Sequence, residues 1–174
     1  SSRIYKDLLT DLPPPRIQLQ LPALPWDLIW KRLATPLLPP LAVDTHFRAL
    51  HNLLPTRERQ HRLGLAPSPA CLHCPAPMAD GLHFFTTCSR VAGAWDYLLH
   101  QAIMTTGMAI NNRSLFYLAW PSVPGRVEAA VTMAVCTFTA WAWDTRELQP
   151  PLLPSDLKVK VDLAATGGPY NSIF

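Results

Sequence analysis

Charge is scarce in this sequence. Only 16% of its 174 residues are Asp, Glu, Lys or Arg, against roughly 25% in ordinary soluble domains. The 15 basic and 12 acidic side chains leave a net charge of +3, which gives no overwhelming electrostatic preference for one kind of partner. The twelve acids are scattered, without the Asp-Asp pair that would hold two catalytic magnesium ions, so polymerase chemistry is not expected of this chain. Its length excludes a large enzyme and admits one or at most two small domains. Glycine, with seven residues, is not enriched, and no internal repeat is visible. The longest apolar run, residues 127–143, falls short of the roughly 20 residues of a membrane span and is framed by Arg126, Glu128 and Asp144. No charged n-region and apolar h-region follow Ser1-Ser2; the start reads as an interior cut from a longer polypeptide.

What is abundant is apolar surface and proline. A hydrophobic share of 49% supplies a core, and with so little charge part of the surface must be apolar as well. Nineteen prolines cannot lie inside long regular elements, so they must punctuate short helices or sit in extended linkers. Residues 1–12 have helical periodicity through Ile4, Leu8, Leu9 and Leu12 before three prolines stop it. Arg16 to Leu21 alternates polar and apolar between prolines, the pattern of an extended linker or edge strand. Trp26, Ile29, Trp30 and Leu33 share one face of a helix ended by Pro36. Val43, Phe47, Leu50 and Leu54 do the same over residues 41–53, with His46, Arg48 and His51 on other faces. Thr56 is placed to cap a short polar helix from Arg57 that ends at Gly64. Residues 79–100 read as a turn running into a helix with Val91, Trp95 and Leu98 inward. Residues 127–143, apolar nearly all round, read as a central buried helix or one facing a partner. Beyond Glu147 the chain is proline-rich, with residues 157–163 a strand or an extended arm.

Three of the four cysteines fall close together. Cys71-Leu72-His73-Cys74 is followed by His83 and Cys88, giving C-x2-C-x8-H-x4-C. The two-residue gap lets both thiolates reach one tetrahedral ion, and the distant pair closes the sphere, as in a structural zinc site. A redox Cys-x-x-Cys or an unligated reduced pair are the alternatives, against which stands the absence of a βαβ pattern. His73 is an alternative to His83, but it lies between two ligating thiolates. His83 and Cys88 are five apart and do not share an α-helical face, so a turn must separate them. Cys136, inside the apolar run, reads as a buried small hydrophobe.

The order of these pieces resembles the zinc-binding region near the C-terminus of reverse transcriptases from non-LTR (LINE-type) retrotransposons. The resemblance covers residues 26–98. It is carried by Trp26-Asp-Leu-Ile-Trp30, Pro39-Pro40, the helix ending His51-Asn52-Leu53-Leu54-Pro55-Thr56-Arg57-Glu58-Arg59, then Leu63-Gly64-Leu65, the Cys71/Cys74 pair, His83-Phe84-Phe85 with Cys88, and Trp95. Asp80 stands three residues before His83, where the family usually has an acid nearer the ligand. The resemblance implies a nucleic-acid-handling module that binds template RNA or target DNA during target-primed reverse transcription, attached to the remainder of the polymerase polypeptide. A protein of that kind visits both nucleus and cytoplasm, where metal-binding cysteines stay reduced.

Between Lys31 and Arg62 six basic residues face two acids, a local +4 that exceeds the net charge of the whole chain. Lys31, Arg32, Arg48, Arg57, Arg59 and Arg62 are therefore the candidate nucleic-acid contacts; the bland alternative is a solvated helix face. The tryptophans and the Phe84-Phe85 pair read as packing, not as base-stacking platforms. The expectation is an all-α domain of short helices around one structural Zn2+ on Cys71, Cys74, His83 and Cys88, with a minor strand allowed near the C-terminus. It divides into a lead-in (1–25), a zinc-binding helical domain (26–105), an apolar helical subdomain packed on it (106–147) and an extended tail (148–174). The expected role is RNA or DNA binding without catalysis, membrane or small-molecule substrate. The competing class is a zinc-stapled scaffold docking a protein partner through its apolar helix. A zinc deaminase is disfavoured because no His-x-Glu precedes the cysteine pair and four protein ligands leave no open metal position.

Overall fold

Prolines set the helix lengths. The computed structural model describes residues 16–36, 38–148 and 150–165, so the lead-in helix expected over 1–12 lies outside the described residues. The helices are α1 (Arg16–Gln20), α2 (Trp26–Leu33), α3 (Pro40–Leu50), α4 (Arg57–Arg62), α5 (Ala92–Thr106), α6 (Asn112–Phe116), α7 (Gly125–Asp144) and α8 (Pro154–Ala165), with a π-helical turn at His83–Thr87. Pro40 and Pro154 occupy first helical positions, where the missing N–H would have had no intrahelical partner. No strand occurs among the described residues, as expected of an all-α chain. Two expectations are corrected. Arg16–Gln20 is a helix, its Ile17 buried. Residues 157–163 are no strand or extended arm either: α8 lays Leu157 and Val161 onto the interior at helical spacing, and Lys158 pairs with Asp162 at 2.9 Å on its outer side.

α7 is the axis of the packing. α3 runs along it, α8 and α5 cover further sides, and α2 touches it as well. Every residue from Ala129 to Cys136 is buried, together with Phe138, Thr139 and Ala142. Its threonines avoid unpaired hydroxyls by bonding back one turn. Thr132 donates to the Glu128 carbonyl at 2.7 Å and Thr139 to the Val135 carbonyl at 2.9 Å. Alanine lets neighbouring backbones approach, and α3 answers with small residues of its own. Its buried face is Ala42, Thr45, His46, Ala49 and Leu50, while Phe47 is 41% exposed. This corrects the periodicity argument, which placed Phe47 inward and His46 outward. His46 is fully enclosed, with Nδ1 2.9 Å from Thr139 Oγ1, and burial pushes its pKa down to about 4, so it is neutral. Phe47 instead joins Trp30 and His51 in a ring cluster, with Phe47–His51 centroids 4.2 Å apart.

Two arginines close the ends of α7. Arg32 is 2% exposed. Its Nη2 lies 2.7 Å from Glu128 Oε1 in the first turn of α7, and it also donates to the carbonyls of Leu118, Trp120 and Pro121 with its guanidinium over the Trp120 ring. At the other end Arg90 donates to the carbonyls of Ala142, Thr145 and Leu148 and to Thr145 Oγ1. These are the orphan acceptors of a helix C-terminus. The Arg90 carbonyl in turn accepts from Leu152 N–H at 2.8 Å, tying down the approach to α8.

Candidate metal centre and basic surface

The four spaced ligands come together. One ligand atom from each of Cys71, Cys74, His83 and Cys88 lies within 4.8 Å of the others. Cys71 Sγ is 3.6 Å from Cys88 Sγ, and Cys74 Sγ is 3.4 Å from His83 Nε2. Cys71 and Cys74 sit on a tight loop closed by Cys71 N–H to the Ala76 carbonyl at 3.0 Å, in which His73 N–H points at Cys71 Sγ from 3.4 Å. The His73 ring is not among the four.

The placing of His83 and Cys88 depends on the π-helical turn. Its defining hydrogen bond runs from residue i+5 back to i, and Cys88 N–H donates to the His83 carbonyl at 2.9 Å. The wider turn puts residues five apart on the same side, which an α-helix would not. The five-residue spacing is therefore the register of the turn itself and needs no break between the ligands. Asp80 starts this segment: its Oδ1 accepts from His83 N–H at 2.7 Å. On the imidazole, Nδ1 meets Thr87 Oγ1 at 3.2 Å, which leaves Nε2 for the cluster. Phe85, fully buried and stacked on Phe116, anchors the turn from below, and Phe84 meets Trp143 edge to face.

Electrostatics show what this group lacks on its own. Burial, with Cys71 and Cys74 close by, pushes the Cys88 thiol up to about 12. Cys74 is held below the ordinary thiol value: burial opposes ionisation, but the backbone at Ala76 and Ser89 and the neighbouring thiols favour it. Burial also lowers His83, keeping it a neutral donor against the pull of Asp80. A cation at the centre removes the penalty on three adjacent thiolates, so this set fits and can hold a metal ion. Four protein ligands suffice for a tetrahedral sphere, and among the described residues no carboxylate joins the group. Cys136 is far from this group in sequence, fully buried, and raised by burial alone.

The six candidate basic residues separate. Arg32 is interior, as described, and spends its donors on Glu128 and three carbonyls; it is not a surface contact. The reason is that a guanidinium with enough acceptors is stable in a core, and only the distant residues 118–128 supply them. Arg59 is half-buried and donates to the Asn52 carbonyl, locking the turn between α3 and α4. Thr56 caps α4 by accepting from Arg59 N–H at 3.4 Å, and Gly64 closes it at φ +72°, both as the sequence implied. Arg48 pairs with Asp44 at 3.0 Å and Arg62 with Glu58 at 3.8 Å, with all but Glu58 about half exposed. Lys31 is exposed. Arg57 makes no hydrogen bond or ion pair among the described residues, and its Nε is buried without a partner. Arg90 and Arg146 went unnoticed in the sequence; isolated arginines carry no periodic or spacing signal, and their neighbours are set by the fold.

No helix among the described residues is long and apolar enough to cross a membrane. Compared with protein families, curated proteins and solved structures, the chain finds no match.

Proposed function

We propose that this chain is a nucleic-acid-binding module stapled by one zinc ion, the role implied by its resemblance to the region near the C-terminus of non-LTR retrotransposon reverse transcriptases. In that reading it holds template RNA or target DNA while the remainder of the polypeptide carries out target-primed synthesis, in nucleus and cytoplasm, and performs no chemistry itself. Zinc is the ion of choice for three thiolates and one imidazole in a closed tetrahedron.

The observation that carries the proposal is the coupling of the ligand loop to the arginine helix. Glu58 N–H in the first turn of α4 donates to the Ala79 carbonyl at 3.2 Å, and Ala79 N–H donates to the Pro69 carbonyl at 2.9 Å. The loop closed by the metal is thus also the support of α4, so metal binding fixes the direction in which Arg57 and Arg62 point. Arg48 and Lys31 add positive charge from α3 and α2. The competing scaffold reading would dock through α7, most of which is covered by α2, α3, α5 and α8, with Trp141 and Trp143 half-buried.

The test is salt-dependent binding of the zinc-loaded chain to single-stranded RNA and to nicked duplex DNA, beside R48Q/R57Q/R62Q. Each lost phosphate contact makes the log–log salt slope shallower by about 0.7 on single strands or about 0.9 on duplex, so the triple variant should flatten it by up to about 2–3. A folded, metal-loaded chain that binds neither ligand overturns the proposal.

A further inference from the structure

Between α4 and the cysteine loop lies an open cleft of about 180 Å³ whose far wall is the C-terminal end of α7. Its polar lining includes Arg57, Gln60, His73, Arg146 and Glu147, its apolar lining Phe84 and Trp143, and the ligand candidate Cys71 borders it. Three features mark it out. Arg57 is half-buried yet has no partner among the described residues, and its Nε is one of several buried side-chain polar atoms left without a hydrogen bond. The Arg146 guanidinium carbon lies 4.7 Å from the centroid of the Trp143 ring, with Nη1 donating to the Trp143 carbonyl at 3.0 Å and Nε 3.4 Å from Glu147 Oε1. That leaves Nη2 without a hydrogen bond among the described residues, on a side chain that is 39% exposed. The volume is below the roughly 300–1,000 Å³ of drug-sized pockets, enough for a single planar ring system.

We infer that this cleft receives one unpaired nucleotide, its base stacked on the Arg146–Trp143 pair and its phosphate held by Arg57. Unpaired bases stack on arginine planes and aromatic rings and offer their edges to hydrogen-bonding side chains; Gln60, in the cleft's lining, is a side chain of that kind. A duplex keeps its bases in the stack and cannot enter. The inference rests on the nucleic-acid reading above and refines it. It makes the site a reader of single-stranded RNA or DNA, and it makes Arg146 and Trp143, outside the Lys31–Arg62 cluster, part of the contact surface.

The experiment uses the full metal-loaded chain with four probes: a short single-stranded RNA, the DNA of the same sequence, an abasic version of that DNA, and its blunt duplex. Wild type is compared with R57Q/R146Q, whose melting temperature is checked first, and with Q60A as a milder second variant. Base stacking contributes about 1–3 kcal/mol per base, roughly 5- to 150-fold in affinity. Single strands should therefore lose at least about fivefold on base removal and a similar factor in R57Q/R146Q, while the blunt duplex loses only the salt-dependent phosphate contact that Arg57 makes. RNA and DNA arms show which sugar is preferred. If single strands bind wild type but neither base removal nor either variant weakens them, the cleft inference fails and the nucleic-acid reading stands. If no probe binds the folded chain, both fail.

Discussion

Replacing Arg32 by Met tests whether this guanidinium is a structural bolt or a phosphate contact. The side chains of Arg32 and Glu128 are 1% and 16% exposed. The substitution removes Nε and Nη2 from Glu128 Oε1, at 3.1 and 2.7 Å, together with the donors to the Leu118, Trp120 and Pro121 carbonyls. Breaking a buried pair by deleting one partner costs about 3–5 kcal/mol, because the other charge stays buried. Glu128 keeps Ser122 Oγ at 3.3 Å and some contact with water, which places the loss near the lower end, about 3–4 kcal/mol. For a chain of this size, about 2–4 °C per kcal/mol makes that a fall of roughly 6–16 °C in Tm. Urea denaturation monitored by circular dichroism gives the free energy, and a R32M/E128Q double variant should lose clearly less than the sum of the two singles, since no unpaired charge is left behind. A loss below about 1 kcal/mol, with a marked change in the salt dependence of nucleic-acid binding, would show that the interior placement of Arg32 is wrong.

Chelation of the metal, or C88S, should lower Tm by roughly 8–16 °C, taking about 4 kcal/mol for a site loaded at a thousand times its Kd. C136A should leave one metal per chain by mass spectrometry; loss of metal in that variant would contradict the ligand set. His46 makes stability fall in acid. Its folded pKa of about 4 lies below the ordinary 6.5, so its contribution is whole above about pH 6.5 and drains away as pH falls toward 4, up to about 3 kcal/mol in all. The difference between wild type and H46Q in urea melts across that window should carry this slope, and parallel curves would refute it. Leu50, 2% exposed, should cost about 2–5 kcal/mol as L50A, while F47A should cost less although Phe is larger; equal losses would mean the α3 face has been assigned wrongly.

Much of the site was legible because its rules are local. Cys71-x2-Cys74 has one sterically natural way to grip an ion, Thr56 sits one residue before a polar helix, and Gly64 supplies the left-handed residue that ends it. Proline positions likewise forecast helix ends, since the missing N–H acts wherever the residue stands. The five-residue gap from His83 to Cys88 was visible but was read with α-helical geometry. The π-helical turn that turns it into one face is held by contacts from outside the segment, Phe85 on Phe116 and Phe84 on Trp143.

From sequence alone came the all-α class, the Cys/His group that can hold a metal ion, the central helix and its burial, and the capped arginine helix, all of which follow from spacing within some twenty residues. Tertiary structure decided the rest. Which face of α3 is inside depended on α7 presenting alanines and Thr139, so a close backbone approach outranked the larger Phe47. Arg16–Gln20 and α8 are helices because the interior offers Ile17, Leu157 and Val161 a surface to cover, which short amphipathic patterns cannot reveal by themselves. The fate of each arginine was settled by acceptors far away in the chain: Arg32 and Arg90 found enough of them to be buried, and Arg57 did not.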